Sequence, residues 1–274
     1  MLCRAGGVAV VAGLLVPLAA CGGDQTPREV AGGEPAASAA GLPQSSDPVE
    51  LDPGDFTADI TNRYWPMEPG TRWTYRELGE DGEEQVVVVT VSSETRKIAN
   101  GVTARVVRDS VTLDGELIED TLDWYAQDRD GTVWYLGEDT AEFEGGEITT
   151  RGGSFEAGVD GALPGVIMPA EPEVGQAYRQ EYYAGEAEDN GEVLSTEEMA
   201  DTRAGHYEDV VLTKDTITIE PDVLEYKLYA PDVGPVLVFG VSGGAGREEL
   251  VSVTRVPDEV ARAAGTAPLG SDYG

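Results

Sequence analysis

The fold class is decided by residues 103–137, which read TARVVRDSVTLDGELIEDTLDWYAQDRDGTVWYLG. Apolar and polar side chains alternate along this stretch, and the dipeptides Asp114-Gly115 and Asp130-Gly131 divide it into three segments. Alternation with a period of two predicts half-buried β-strands, and Asp-Gly is a dipeptide that two-residue type I′ hairpin turns favour. The stretch therefore predicts three consecutive antiparallel strands.

The turns also predict which residues face each other across the strands. A two-residue turn at Asp114-Gly115 pairs Leu113 with Glu116 and therefore places Asp109 opposite Asp120. A two-residue turn at Asp130-Gly131 likewise pairs Arg129 with Thr132 and Asp128 with Val133. The core face predicted in this way consists of Val107, Val111, Ile118, Leu122, Trp124, Ala126, Val133 and Tyr135.

The opposite face of these three strands is mostly polar, and we expect most of it to be solvated. Arg108 lies there between Glu119 and Asp123, where its charge relieves their mutual repulsion. Three large side chains interrupt this polar face: Tyr125, Trp134 and Leu136. Two interpretations are open, because these side chains could form a partner surface or could be covered by a loop.

Similar alternating segments, bounded by turn residues, recur through residues 71–253. No run of about ten residues or more in this region shows the three-and-four spacing of an amphipathic helix. There is no repeat of fixed period either, which argues against a propeller or a solenoid. We therefore predict a mainly β protein, a single antiparallel meander of about ten strands that forms a curved sheet, a half-barrel or an open barrel.

The amino-terminal end has the composition of a secretory signal peptide. Residues 1–20 contain Arg4, no acidic residue and an apolar run that is short for a membrane-spanning helix. The run ends in Leu18-Ala19-Ala20-Cys21-Gly22, which resembles the lipobox of bacterial lipoproteins. The resemblance implies cleavage before Cys21 and a diacylglyceryl thioether on its sulfur. The protein would then be anchored by lipid to the extracytoplasmic side of the cell membrane.

The remaining chain is divided by composition. Residues 21–62 are rich in Pro, Ala, Ser and Gly with little apolar periodicity, which predicts a disordered tether behind the lipid. Residues 63–256 contain the predicted strands and form the expected β domain. Residues 257–274 are rich in Ala and Gly, and we expect a flexible tail there with at most one helical turn.

The charge of the chain excludes one class of partner. Its 52 Asp and Glu residues outnumber 18 Lys and Arg, and the formal net charge is −34. Such a surface repels the phosphates of nucleic acids, so nucleic-acid binding is not expected. The only two cysteines are Cys3, within the predicted signal peptide, and Cys21. We therefore expect no disulfide in the folded part. We also expect the protein to be a monomer.

Two motifs bracket most of the expected β domain. Residues 64–75 read YWPMEPGTRWTY, and residues 229–236 read YAPDVGPV. The first resembles the opening, and the second the closing motif, of a broad group of secreted bacterial β-domains. The resemblance implies a curved sheet or half-barrel similar to that of Lol-type lipoprotein carriers. Asp232 and Pro235 depart from the closing pattern, and the resemblance implies no catalytic residues.

Little in the sequence indicates catalysis. Residues 240–244 match the Gly-x-Ser-x-Gly pattern of esterases, but a strand is predicted after Ser242 where the nucleophile elbow needs a helix. The single histidine, His206, precedes this serine, which reverses the order of that fold. One histidine and no cysteine pair also exclude the usual zinc and copper ligand sets. We expect no enzyme and no cofactor.

The carboxylates suit calcium or magnesium, and calcium is the metal considered for one group of them. Asp109 and Asp120, if they face each other among apolar neighbours with Asp139 one diagonal away, need a cation, a proton or a donor. The alternative is that Arg72 or Arg76, or an open end of the sheet, satisfies them. Residues 128–131 have part of a calcium-loop pattern, which a hairpin turn explains as well.

Two functions of different classes follow. The leading hypothesis is a lipid-anchored, non-enzymatic envelope protein whose curved sheet binds an unidentified ligand or envelope protein. The alternative is a structural cell-envelope protein whose acidic, calcium-binding surface makes the interactions. A cavity inside the sheet would favour the first hypothesis, and a filled core the second.

Overall fold

Residues 41–79, 82–243 and 246–274 are described by the structure, a computed structural model. Cys21 and the predicted signal peptide lie outside these residues. The strands and the helix are β1 (Phe56–Thr57), β2 (Thr71–Leu78), β3 (Glu84–Lys97), β4 (Thr103–Leu113), β5 (Glu116–Asp128), β6 (Val133–Glu144), β7 (Glu147–Thr150), β8 (Phe155–Glu156), β9 (Gly165–Met168), β10 (Ala177–Arg179), β11 (Asp189–Thr202), β12 (Gly205–Ile217), β13 (Leu224–Ala230), β14 (Gly234–Ser242), β15 (Arg247–Arg255) and α1 (Asp258–Thr266).

The strands form one large antiparallel sheet that does not close. Twelve of the 15 strands follow the order β10-β11-β12-β13-β14-β15-β2-β3-β4-β5-β6-β7, while β1 pairs with β5, and β8 and β9 pair with β6. Neighbouring strands are joined mostly by hairpins, as short connections between antiparallel strands allow. The predicted fold class is confirmed, but the strands outnumber the expected ten. No helix of the described residues is long and apolar enough to cross a membrane.

The first turn forms as predicted, but the register beyond it does not. Asp114 and Gly115 both have positive φ, 53° and 85°, and Leu113 lies opposite Glu116. A β-bulge then leaves Ile118 without a counterpart, so that Val111 pairs with Glu119. One extra residue reverses the faces of all following side chains.

The predicted pairing of Asp109 with Asp120 is therefore wrong. Asp109 pairs with Thr121, and Asp120 pairs with Ser110, so the two carboxylates point to opposite faces of the sheet. We call the face that carries Val107, Asp109 and Val111 the inner face, and the other the outer face. The predicted core face fails on β5 for the same reason: Leu122 and Trp124 pair with Arg108 and Val106 on the outer face.

The second turn is longer than predicted. A two-residue turn would pair Asp128 with Val133, whereas Gln127 has that place in the structure. The Asp128 carboxylate accepts hydrogen bonds from the backbone N–H groups of Asp130, Gly131 and Thr132 at 3.0, 3.0 and 2.9 Å. An Asx-type cap of this kind explains the Asp-rich segment without calcium.

The predicted disordered tether is wrong for residues 41–62. β1 pairs with the end of β5, and the Pro43 carbonyl accepts a hydrogen bond from the Arg179 N–H at the edge strand β10. The buried guanidinium of Arg179 also donates to the Asp47 carbonyl at 2.8 Å. This amino-terminal segment thus connects two distant parts of the sheet. Its apolar residues are too widely spaced to produce a periodic signal.

The predicted flexible tail, residues 257–274, is also wrong. Helix α1 packs on β3 and β4 and buries Ala261 and Ala264. The segment after the helix covers Arg108 and Asp120, and the Gly270 N–H donates to the Asp120 carboxylate at 2.7 Å. Small side chains allow this close packing, and their weak hydrophobicity hides it in the sequence.

The two bracketing motifs meet in the core. Trp73 donates from Nε1 to the Val233 carbonyl at 2.9 Å, and the Tyr75 hydroxyl donates to the Pro235 carbonyl at 3.0 Å. The Trp65 and Tyr229 rings lie 5.4 Å apart between centroids. These aromatic contacts fill the inner face beside one end of the cavity described below.

Candidate ligand-binding cavity

The curved sheet surrounds a cavity of about 460 Å³ on its inner face. Residues of β2 to β6 form one side of it, and residues of β11 to β15 with neighbouring loops form the other. Twelve carboxyl side chains line it: Glu77, Asp109, Glu119, Asp123, Glu138, Glu142, Glu181, Glu186, Asp189, Glu220, Glu225 and Glu248. Only two basic side chains among the lining residues, Lys227 and Arg247, oppose them.

The cavity also has apolar walls. Val87, Val111, Val223 and Val238 line it between the carboxyl groups. Apolar surroundings lower the local dielectric and strengthen every charge interaction inside the cavity. The arrangement therefore favours an organic cation, with charge for the carboxylates and carbon for the walls.

The first pair of carboxyl groups is bridged by a tyrosine. The Tyr135 hydroxyl lies 2.8 Å from Oδ1 of Asp123 and 2.8 Å from Oε2 of Glu138. A hydroxyl has one hydrogen, so it can donate to only one of these two groups. The other contact needs a proton on the carboxyl group itself.

Burial and charge explain where this proton resides. Burial raises the pKa of Asp123 to about 6, although hydrogen bonds from Tyr135 and Tyr125 oppose the shift. Burial, together with the charge of Asp123, raises the pKa of Glu138 well above its usual range. We therefore place the proton on Glu138, which donates to Tyr135, while Tyr135 donates to Asp123.

The second pair lies on the opposite wall. Glu181 and Asp189 both line the cavity, and the Glu181 N–H donates to the Asp189 carbonyl at 3.2 Å. Burial raises the pKa of Asp189 to about 7, although the charge of Lys227 lowers it. Burial and the charge of Asp189 raise the pKa of Glu181 well above its usual range.

The buried lysine of the cavity is already engaged. Lys227 Nζ lies 3.0 Å from Oδ2 of Asp215 and 3.7 Å from Oε2 of Glu225. Asp215 further accepts hydrogen bonds from Gln180 and Thr213 at 3.0 and 2.7 Å. Lys227 therefore neutralises its own neighbours and leaves the cavity strongly negative.

One buried hydroxyl beside the cavity is not satisfied. The Tyr178 side chain is 1% exposed, and its hydroxyl has no hydrogen-bond partner among the described residues. Its ring lies across Gly191, where an added Cβ would be 2.7 Å from it. Burial raises the pKa of this hydroxyl well above its usual range, and Tyr178 is not one of the residues that line the cavity.

The three carboxylates proposed for calcium are not brought together. Asp109 lines the cavity, Asp120 is buried on the outer face with Arg108, and Asp139 pairs with Arg151. The partner of Asp120 is therefore neither Arg72 nor Arg76. Within residues 41–79, 82–243 and 246–274, no group of three His, Cys, Asp or Glu side chains could hold a metal ion.

The proposed partner surface is wrong as well. Tyr125, Trp134 and Leu136 are 1%, 8% and 0% exposed. The Trp134 ring packs edge-on against Phe56, 6.2 Å away, and its Nε1 donates to Asp128 at 2.8 Å. Phe56 of the amino-terminal segment therefore packs on Trp134, and the Tyr125 ring lies 6.1 Å from the Trp65 ring between centroids.

The residues of the esterase-like pattern lie apart. Ser242, at the end of β14, donates to the Asp222 carbonyl at 2.7 Å. His206, at the start of β12, contacts Asp201 across its own hairpin at 2.8 Å. The two side chains thus make separate local contacts.

Sequence reasoning assigned several residues of the cavity to a solvated face. Glu119 and Asp123 alternate with apolar side chains as exposed strand residues do, and the bulge at Ile118 turns them inward. Glu181 lies in one of the predicted alternating segments, residues 178–184, whereas Asp189 lies outside them. An excess of acidic residues at alternate positions of several strands was the available signal, but it does not distinguish a cavity from a surface.

Comparisons with known proteins bring no family to this chain. No family model matches it, and no curated protein matches it. One solved structure, provisionally described as an exported protein with a YmcC-like fold from Bacteroides fragilis, is 14% identical with a TM-score of 0.44, over 71% of this chain and 100% of its own. Another, provisionally described as a lipoprotein from Parabacteroides distasonis, is 11% identical with a TM-score of 0.36, over 70% of this chain and 99% of its own. Likeness at this level leaves the function to be argued from the cavity.

Proposed function

We propose that the protein is a non-enzymatic, lipid-anchored binding protein of the cell envelope, and that its cavity holds a small organic cation. The observation that carries the proposal is a partly open cavity of about 460 Å³ that is lined by twelve carboxyl and two basic side chains. Pockets for small molecules have volumes of about 300–1,000 Å³. The size and the charge thus favour the same class of ligand.

The arrangement favours an organic cation over a metal ion. A calcium site needs six to eight oxygen ligands directed at one point, and the described carboxyl groups do not converge in this way. Amines and guanidinium groups need only pairwise contacts with carboxylates, which opposite walls of a cavity can supply.

Binding is tested by calorimetry on residues 41–274 with spermidine as the probe. We expect spermidine to bind and a neutral polyol of similar size, sorbitol, not to bind, because the cavity stabilises positive charge. Raising the salt concentration should weaken binding. Equal affinity for both probes, or a response to CaCl2 alone, would overturn the choice of ligand.

The location of the site is tested by two matched variants. Asp109→Asn removes one buried charge from the cavity, and Glu197→Gln removes one charge from an exposed position of β11. We expect Asp109→Asn to weaken spermidine binding about tenfold, which corresponds to about 1.4 kcal/mol. Glu197→Gln should change it less than twofold. Equal effects of both variants would indicate attraction to the whole acidic surface instead.

The proposed anchor is tested at Cys21. Cys21→Ser removes the sulfur that the lipobox resemblance assigns to lipid, and two acyl chains are what holds such a protein stably to a membrane. We expect the variant to appear in the soluble fraction or as an uncleaved precursor. Membrane-bound Cys21→Ser protein with its signal removed would refute the lipobox interpretation.

A further inference from the structure

We propose that the cavity exchanges protons for its cation, so that the ligand enters as protons leave and is released when the surroundings become acidic. The inference rests on the proposed function, because it concerns the regulation of the same cavity. It is carried by the geometry of the Tyr135 hydroxyl, which lies 2.8 Å from carboxyl oxygens of both Asp123 and Glu138 in the cavity wall.

The first proton is required by the contacts of Tyr135. Two carboxyl oxygens lie 2.8 Å from one hydroxyl, which has a single hydrogen. The cavity therefore holds one proton more than it would if Asp123 and Glu138 were both ionised. A cation placed between Asp123 and Glu138 would supply the positive charge and make this proton unnecessary.

A second pair of buried carboxyl groups, Glu181 and Asp189, lines the same cavity. Burial raises the pKa of both groups, so they add to the protons that the cavity can hold. A cation that contacts them would favour their ionised forms. At least one proton should therefore leave when an organic cation binds.

The groups around both pairs favour the exchange. Asp109 on β4 and Glu119 on β5 add negative charge near the first pair, and the charges of Glu138 and Asp123 also act on Glu181. Around the second pair, Lys227 lowers the pKa of Asp189, while Asp215 and Glu225 raise it. Lys227 also lies 3.0 Å from Asp215, so its charge is shared with that carboxylate.

The sign of the pH dependence follows from these protons. With both pairs protonated, the cavity has less negative charge and binds a cation weakly. Raising the pH removes the proton of Glu138, whose pKa burial and the charge of Asp123 hold well above its usual range, and ionises Asp189, whose pKa is about 7, so binding strengthens. The affinity should therefore rise between pH 5 and pH 8, by up to about tenfold per pH unit for each proton exchanged.

Proton release is measured by titrating residues 41–274 with spermidine in buffers of different ionisation enthalpy near pH 6.5. We expect between one and two protons released per spermidine, and stronger binding at pH 8 than at pH 5.5. Binding without proton release would overturn this inference and leave the proposed function intact. Absence of binding at every pH would overturn both.

Two substitutions distinguish the release of the Glu138 proton from the loss of a negative charge in the cavity. Glu138→Gln retains a donor for Tyr135 but has no proton to lose, so the number of protons released should fall by about one. Glu142→Gln removes one carboxylate from the exposed rim of the same cavity and should leave the number of protons unchanged while weakening binding. An equal loss of protons in both variants, or none in either, would contradict the assignment to Glu138.

The melting temperature provides a readout that needs no ligand. A carboxyl group whose pKa is raised by folding stabilises the folded state below its unfolded pKa of about 4, and this stabilisation is lost as the pH rises through the folded value. We expect the ligand-free protein to melt at a higher temperature at pH 5.5 than at pH 8. Glu138→Gln should reduce that difference, and Glu142→Gln should not. Identical pH profiles for all three proteins would refute the shared proton at Glu138.

Discussion

Arg108→Ala is expected to lower the free energy of unfolding by about 3–5 kcal/mol, because it leaves a buried carboxylate without its counter-charge. Arg108 and Asp120 are 0% and 1% exposed, and Nε of Arg108 donates to Oδ1 of Asp120 at 2.8 Å. Arg108 also donates to the Ala267 and Pro268 carbonyls at 2.9 and 3.0 Å. Its removal therefore also loosens the carboxyl-terminal segment.

The loss is measured by urea denaturation of residues 41–274. The matched control is Arg151→Ala, which breaks the exposed ion pair with Asp139 and should cost less than about 1 kcal/mol. The double variant Arg108→Met with Asp120→Leu should recover part of the lost stability, since it removes both buried charges. A cost of less than 1 kcal/mol for Arg108→Ala would contradict a buried pair that organises this face.

The fragment 63–256 should fail to fold cooperatively, whereas residues 41–274 should melt in one transition. The fragment lacks β1, the carbonyls that Arg179 contacts and the segment that covers Arg108. We expect a loss of more than about 5 kcal/mol, which is comparable to the whole stability of many domains. Thermal melts followed by near-UV and far-UV circular dichroism provide the measurement.

Two intermediate fragments assign the loss to each end. Residues 41–256 keep the amino-terminal segment, and residues 63–274 keep helix α1 and the segment after it. Each should be less stable than residues 41–274 and more stable than 63–256. The midpoint for 41–274 should not change with reductant, because both cysteines lie outside it. Equal midpoints for all four proteins would restore the tether and tail that the sequence suggests.

Local physics made part of the fold predictable. Asp114 and Gly115 both have positive φ, which this dipeptide tolerates better than most others. The turn therefore depends on these two residues and not on distant contacts. The alternation of residues 103–137 likewise predicts strands, because the period of two is a property of the extended backbone. The three strands are consecutive, so each pairs with the next across a short turn and their pairing needs only local hairpins.

The candidate site was less predictable, because its carboxyl groups come from most of the sheet. Asp123 and Glu138 lie on neighbouring strands, yet the sequence suggests a solvated face for both. Their burial depends on β11 to β15 curving over them, which is a property of the whole sheet. Nothing in the sequences of β5 and β6 indicates that other strands cover these two side chains.

The sequence by itself determined the antiparallel β class, the first hairpin turn and the acidic character of the protein. The tertiary structure alone decided the bulge at Ile118, because a single extra residue costs little locally and its position depends on which face finds cover. It also decided the packing of residues 41–62 and 257–274, whose small or widely spaced apolar groups are buried by contacts with distant strands. The raised pKa values of Glu138 and Asp189 also depend on the tertiary structure, because burial under the curved sheet removes the water that would stabilise their ionised forms.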